Sequence, residues 1–289
     1  MVYQKTKSIL KDQGLAPAKK LGQNFLVHRH TADRIVDLTD ITDHDTILEV
    51  GVGLGALTTP LAEAAAQVIG LEADSGIIRL HEEQGTLPKN VRLIHQDVLK
   101  ADLKELASLC GGRLKIIANL PYSISSPFLF RLIEHHDLVD FAVVMLQKEV
   151  ALRLLAQPGS KEYGVPTVLM ASCAEARMLM QVKPEEFHPQ PKVDSVVLRL
   201  SFKPVPERVQ NIGPIDYPLL KRVVSGAFGQ RRKTLLNALS ATGLLDKQNI
   251  ADCIAAVDLA PSIRAERLEL EDFVRLARAI AEHRESSTK

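Results

Sequence analysis

The chain has 289 residues, 46% apolar and 25% charged, with a formal net charge of +1; that length and balance suit a soluble protein with one large domain and a smaller one. No apolar run approaches the roughly 18 residues that span a bilayer, and residues 1–10 lack the apolar stretch of a secretion signal, so a cytoplasmic protein without membrane contact is expected. Cys110, Cys173 and Cys253 are too few and too scattered for a disulfide framework or a zinc site.

The first element is a basic arm. In residues 1–34, Lys5, Lys7, Lys11, Lys19, Lys20, Arg29 and Arg34 stand against Asp12 and Asp33 alone. A second segment, residues 217–245, holds Lys221, Arg222, Arg231, Arg232 and Lys233 and no acid. Since the net charge is near zero, the remainder is acidic. Two basic segments on an acidic body suit a polyanionic partner, although two solvated faces would read the same way.

After the arm, residues 31–39 predict an amphipathic helix through Ile35, Val36 and Leu38. Apolar, β-rich runs then alternate with helical stretches. Strands are predicted at 46–50, 67–71, 91–95, 114–118 and 141–146, with helices at 56–66, 75–83, 104–109 and 127–134 between them. The apolar segment 167–172 and the run 195–202 are read as two further strands. This alternation predicts an α/β domain built on a mostly parallel seven-stranded sheet covered on both faces. Lys203-Pro204-Val205-Pro206 breaks the pattern as a linker, dividing a domain of residues 1–203 from one of 204–289. The second domain reads as small and all-helical, with helices at 217–227, 231–241, 248–257 and 271–282.

The first strand ends in Glu49-Val50-Gly51-Val52-Gly53-Leu54-Gly55. Glycines there allow a tight turn and close approach of a ligand to the backbone. Glu72, after the second strand, is placed to accept the hydroxyls of a ribose. A dinucleotide site would share these features. The spacing, however, is Gly-x-Gly-x-Gly, not the pattern that seats a pyrophosphate, and Glu49 beside the turn disfavours a diphosphate. A cationic nucleoside such as S-adenosylmethionine suits it better. Asp97, after the third strand, could accept from an adenine amine or simply cap a helix.

The fourth strand runs into Asn119-Leu120-Pro121-Tyr122. An adenine N6 amine is a poor nucleophile because its lone pair is delocalised into the ring. The Asn119 side-chain oxygen and the Leu120 carbonyl, presented by a turn that Pro121 holds, could accept from its two N–H groups. Tyr122 could stack on a base taken out of its helix. Alone, the tetrapeptide equally describes a strand-ending turn. Its place at the carboxyl end of the strand beside the glycine turn is where open α/β sheets bind ligands. Phe187, in a Pro-rich loop, could be a second stacking platform or a core residue. His28 with His30, and His135 with His136, lack the carboxylates or thiols of a metal site, so no metal is expected.

With those residues in place, the chain resembles the ribosomal RNA adenine N6-dimethyltransferases, and within them the bacterial small-subunit type. The resemblance spans nearly the whole chain: Lys20 to Leu26, the glycine turn through Thr58, Asn119 to Tyr122, Gln147 to Val150, Tyr163-Gly164, Phe187 to Ser195 and Phe228 to Leu235. It implies a Rossmann-like class I methyltransferase domain with a small helical C-terminal domain, and S-adenosylmethionine as cofactor. It places Asn24, Leu26, Gly51, Gly53, Glu72, Asp97 and Asn119 against the cofactor. Asn119, Leu120, Pro121, Tyr122 and Phe187 would serve the target base, and Lys19, Lys20, Lys221, Arg222, Arg231, Arg232 and Lys233 would contact RNA. The implied substrate is two adjacent adenines near the 3′ end of 16S rRNA in a partly assembled 30S subunit. Alternatives are a large-subunit adenine methyltransferase, an assembly factor whose binding outweighs its catalysis, and, more remotely, an NAD-dependent oxidoreductase.

Overall fold

The computed structural model describes residues 23–85 and 87–286; the expected RNA contacts Lys19 and Lys20 lie outside them. Two compact units emerge from the internal contacts. One runs up to Ala151 and includes Glu175–Pro204; the other combines Leu152–Ala174 with the chain from Val205 onward. The expected division at 203/204 therefore meets a chain that enters its second unit once earlier, over 152–174.

The first unit is a seven-stranded sheet. Five strands run parallel: β2 (Thr46–Val50), β3 (Gln67–Glu72), β4 (Val91–His95), β5 (Leu114–Asn119) and β6 (Val139–Gln147). β9 (Ser195–Ser201) pairs antiparallel with β6, and β7 (Glu175–Val182) pairs antiparallel with β9. The spatial order is β4-β3-β2-β5-β6-β9-β7. Central strands covered on both faces need near-continuous apolar runs, and Ile47, Leu48, Ile116, Ala142 and Val144 are accordingly inaccessible to solvent. A two-residue strand, β1 (Phe25–Leu26), pairs separately with β8 (Phe187–His188).

Five helices were expected here in outline, and they are α1 (Arg29–Asp37), α2 (Thr58–Ala64), α3 (Ser75–Gln84), α4 (Leu103–Leu109) and α5 (Ser125–Glu134). Local chemistry sets their ends. Asp74 Oδ1 accepts from Gly76 N at the start of α3, which stops at Gly85 in the left-handed region. Asp102 caps α4 in the same way.

Helix α6 (Lys148–Leu154) is followed by α7 (Val165–Ala171). The latter corrects the expected strand at 167–172. Pro166 sits in the first turn, where its missing N–H costs nothing, and the Thr167 hydroxyl accepts from Gly164 N at 3.2 Å. An apolar run of this length does not by itself separate a buried helix from a strand. The seventh strand is instead β7, whose sequence Glu-Ala-Arg-Met-Leu-Met-Gln-Val carries few strand formers.

The second unit also contains α8 (Glu207–Ile212), α9 (Tyr217–Gly229), α10 (Leu235–Ser240), α11 (Lys247–Ala256) and α12 (Leu270–Ser286). Asp216, Thr234 and Asp246 cap α9, α10 and α11. Residues 231–234, expected to open a helix, form a turn before the Thr234 cap instead. Leu268, Leu270, Phe273, Leu276 and Ile280 are buried as their spacing predicts. Tyr163 and Phe273 each lie 5.8 Å from Phe228 by ring centroid, and the Tyr163 hydroxyl donates to Leu268 O at 2.8 Å.

Candidate active site at the glycine turn

From β2 the chain moves to β3 and β4 on one side and returns to β5 on the other. Carboxyl ends at such a reversal of strand order leave a crevice. A pocket open at its mouth lies there, lined by Gln23–Leu26, the turn from Gly51 to Leu54, Glu49, Glu72, Asn119 and Pro121.

The turn requires glycine at Gly51. Its φ is +81°, and a Cβ would stand 3.3 Å from the Asn119 carbonyl. All three glycine N–H groups are engaged within the protein. Gly51 donates to Leu71 O at 2.9 Å, Gly53 to Glu72 Oε2 at 2.9 Å, and Gly55 to Val52 O at 3.0 Å. A turn that cradles a diphosphate must aim free N–H groups at it; here the three glycine N–H groups are already taken. The dinucleotide reading loses its chief support.

Acidity replaces that donor set. Glu72 is nearly buried, and its oxygens accept from Gly53 N and Asp74 N, each at 2.9 Å. Each carboxylate oxygen can accept twice, so capacity remains for ligand hydroxyls. Glu49 is fully buried, and neither of its oxygens, nor the Thr58 hydroxyl, has a hydrogen-bond partner in the protein. Burial pushes its carboxyl up to about 8; the nearby Thr58 opposes the rise and the Glu72 charge adds to it. An orphaned buried acid is costly unless a partner arrives. A cation is the partner that would draw out its charge.

Asn119 ends β5 at the pocket. Its Nδ2 donates to Asn24 O at 3.3 Å, which orients the amide and leaves Oδ1 as an acceptor. Leu120 is buried, Pro121 lines the pocket, and a 3₁₀ turn, Tyr122–Ile124, leads into α5. The Tyr122 hydroxyl shares a 2.7 Å hydrogen bond with buried Ser195 Oγ; burial raises its pKa, and that bond partly offsets the rise.

The structure thus gathers Asn24, Leu26, Gly51, Gly53, Glu72 and Asn119 around one pocket. Two residues are placed otherwise. Asp97 is not in its lining; its Oδ1 accepts from Leu99 N at 2.9 Å at the start of a turn, and the helix that follows is capped by Asp102 instead. Phe187 is 1% exposed within the main core, because the β1–β8 pairing turns it inward beside Leu26. In the second unit, Lys221, Arg222, Arg231, Arg232 and Lys233 are all exposed. Arg231 is braced there by Lys161 O at 2.9 Å and Glu266 at 3.8 Å. The expected site set omitted Gln23, Phe25, Val52 and Leu54. Their place inside the motifs that carry the resemblance was the available signal, because the apolar Phe25, Val52 and Leu54 have no chemical signature and Gln23 spends its amide on Asp74. Among the described residues, no three His, Cys, Asp or Glu side chains cluster to hold a metal, and no helix is long and apolar enough to cross a membrane.

Comparison with known proteins adds to this geometry. The family model for ribosomal RNA adenine dimethylase matches residues 16–282. A ribosomal RNA small subunit methyltransferase A of Desulfotalea psychrophila is 51% identical over 283 residues, covering 95% of each chain. The protein of the same description from Geobacter metallireducens is 41% identical, covering 94% of this chain and 98% of its own. Among solved structures, a dimethyladenosine transferase from Plasmodium falciparum superposes with a TM-score of 0.72 at 26% identity, over 90% of this chain and 98% of that one.

Proposed function

The chain belongs to the ribosomal RNA adenine dimethylase family, and on that premise we propose that it transfers methyl groups from S-adenosylmethionine to N6 of two adjacent adenines near the 3′ end of 16S rRNA, in a partly assembled 30S subunit. One observation carries the choice of cofactor: the pocket floor holds a buried, unpartnered Glu49 carboxyl beside Glu72, while the N–H groups of Gly51, Gly53 and Gly55 are taken by the protein itself. The pocket therefore fits a cationic nucleoside. Glu72 would hold its ribose, Glu49 would face its positive charge, and Asn24, Leu26, Gly51 and Gly53 would form its walls. Asp97 would reach an adenine amine with the acceptor capacity left over from its bond to Leu99 N. When bound, S-adenosylmethionine supplies a methyl group made electrophilic by the cationic sulfur.

The protein's own task is then to present a nucleophile. Asn119 Oδ1 and the Leu120 carbonyl would accept from the two N6 hydrogens, drawing the nitrogen toward tetrahedral geometry. Pro121 fixes that turn, and Tyr122, tethered through Ser195, would stack on the extruded base. Phe187, buried and paired with Leu26 in β1–β8, would back the pocket wall from behind. No strong base is needed, since the alkylated amine is acidic enough to release its proton to water. Catalysis is mainly positioning and hydrogen bonding. Lys19, Lys20, Lys221, Arg222, Arg231, Arg232 and Lys233 would grip phosphates of the RNA backbone. The resemblance of Phe228 to Leu235 to the small-subunit type favours 16S rRNA over large-subunit RNA. Primer extension across both rRNAs of a strain deleted for this gene tests the choice. Loss of a paired stop near the 16S 3′ end is expected; loss confined to the large subunit would overturn the reading.

A further inference from the structure

A buried histidine outside the expected site holds the glycine turn in shape. His81 lies on α3, one helical turn after Ile77, and is 7% exposed. Its Nε2 is 2.7 Å from the Gly53 carbonyl oxygen. A carbonyl only accepts, so Nε2 is the donor of this bond. Nδ1 is also shut off from solvent and has no partner.

Gly53 is consequently gripped on both sides of its α-carbon. Its N–H donates to Glu72 Oε2 and its carbonyl accepts from His81. Its φ is +53°, and a Cβ would lie 3.1 Å from the Phe25 ring. Phe25, Ile77 and Leu54 form a small separate core beneath this point. Gly53 lines the pocket, and the two bonds together set where its peptide planes face. The His81 bond thereby keeps the Gly53 N–H on Glu72, which orients the carboxylate and withholds that N–H from any anionic ligand.

We infer that His81 is a positioning residue for the cofactor, acting through Gly53 and Glu72 on the nucleoside end of the pocket. The inference rests on the reading of the pocket as an S-adenosylmethionine site. His81 touches neither the expected methyl group nor the expected base, so its loss acts on cofactor affinity and not on transfer. Losing this bond costs stability in free and bound protein alike, and only the part that lets the Gly53 turn and Glu72 drift from the bound geometry appears as affinity, about tenfold.

The test uses the full chain with undermethylated 30S subunits as substrate. His81→Leu fills similar volume without a donor, and His81→Gln returns an N–H. For His81→Leu, KM for S-adenosylmethionine is expected to rise by about tenfold, with KM for 30S subunits and kcat at saturating cofactor near wild type. His81→Gln is expected to recover most of that loss. A two-bond proton–nitrogen correlation spectrum is expected to find the ring proton on Nε2. If His81→Leu lowers thermal stability but leaves the cofactor KM unchanged, or if the Gln variant is no better than the Leu variant, the inference fails. If the wild-type protein does not bind S-adenosylmethionine in calorimetry, the reading of the pocket fails and the inference goes with it.

Discussion

Replacing Glu49 by Gln should make the cofactor-free protein more stable at alkaline pH and a worse binder at the same time. The folded carboxyl sits at about 8 against an ordinary 4.5, through burial first and the Glu72 charge in addition. Below pH 4.5 both folded and unfolded forms keep the proton, and the stabilisation is whole. As pH rises toward 8 the unfolded chain ionises while the folded one does not, so stability falls by about 1.4 kcal/mol per pH unit. The wild type thus gives up as much as about 5 kcal/mol by pH 8, and a neutral amide gives up none. At about 2–4 °C per kcal/mol for a unit of this size, Glu49→Gln should melt about 10–20 °C above wild type at pH 8 and close to it at pH 4.5. Calorimetric melts across that range measure the difference. A cationic cofactor should reverse the preference, since it favours the ionised carboxyl. Titration with S-adenosylmethionine near pH 7, in buffers of different ionisation enthalpy, should show about one proton released by wild type and none by the variant. Parallel melting curves for the two proteins, with no proton release, would refute the assignment of Glu49.

Gly51→Ala meets a left-handed backbone and the Asn119 carbonyl at 3.3 Å; it should cost about 1–2 kcal/mol in backbone strain alone and weaken cofactor binding, as melts and calorimetry would record. Tyr122→Phe keeps the ring but leaves the buried Ser195 hydroxyl unpaired, so a stability loss of about 1–3 kcal/mol should accompany retained turnover, whereas Tyr122→Ala should abolish turnover. Tyr163→Phe strands the Leu268 carbonyl in the helical unit; a similar loss of about 1–3 kcal/mol should leave the cofactor Kd unchanged. Joint reversal of Arg232 and Lys233 to Glu should weaken 30S binding and flatten its salt dependence by about one unit per lost phosphate contact, again without affecting the cofactor Kd.

Six of the seven strands were legible: β2, β3, β5 and β6 because strands covered on both faces must be largely apolar, and β4 and β9 from their short runs of Val, Leu and Ile. The two departures share a cause. Segment 167–172 is short and apolar, and whether such a run winds or extends depends on what surrounds it; Pro166 and Thr167 were the local signs of a helix. β7 alternates Glu, Arg and Gln with methionines at the sheet edge, where packing on one face decides the conformation. In the site, the polar residues Glu72 and Asn119 were legible from their places at strand ends. Phe187 and Asp97 were ambiguous for a physical reason. A Phe before a strand stacks or packs, and only the β1–β8 pairing shows it packed; an Asp after one binds or caps, and Asp97 caps no helix, its Oδ1 accepting from Leu99 N in a turn. Spacing also could not reveal that every glycine N–H in the turn is already engaged, since that depends on strand register and on Glu72 reaching back to Gly53.

The central claim is one pocket that joins a cationic methyl donor to an adenine amine held by Asn119 and Leu120. Incubating undermethylated 30S subunits with labelled S-adenosylmethionine and the protein, followed by nucleoside mass analysis, addresses it directly. Wild type should yield two labelled N6,N6-dimethyladenosines per 16S rRNA, and Asn119→Ala, still binding the cofactor, should yield none. Label on a different nucleoside, or full dimethylation by the Asn119→Ala protein, would contradict the account.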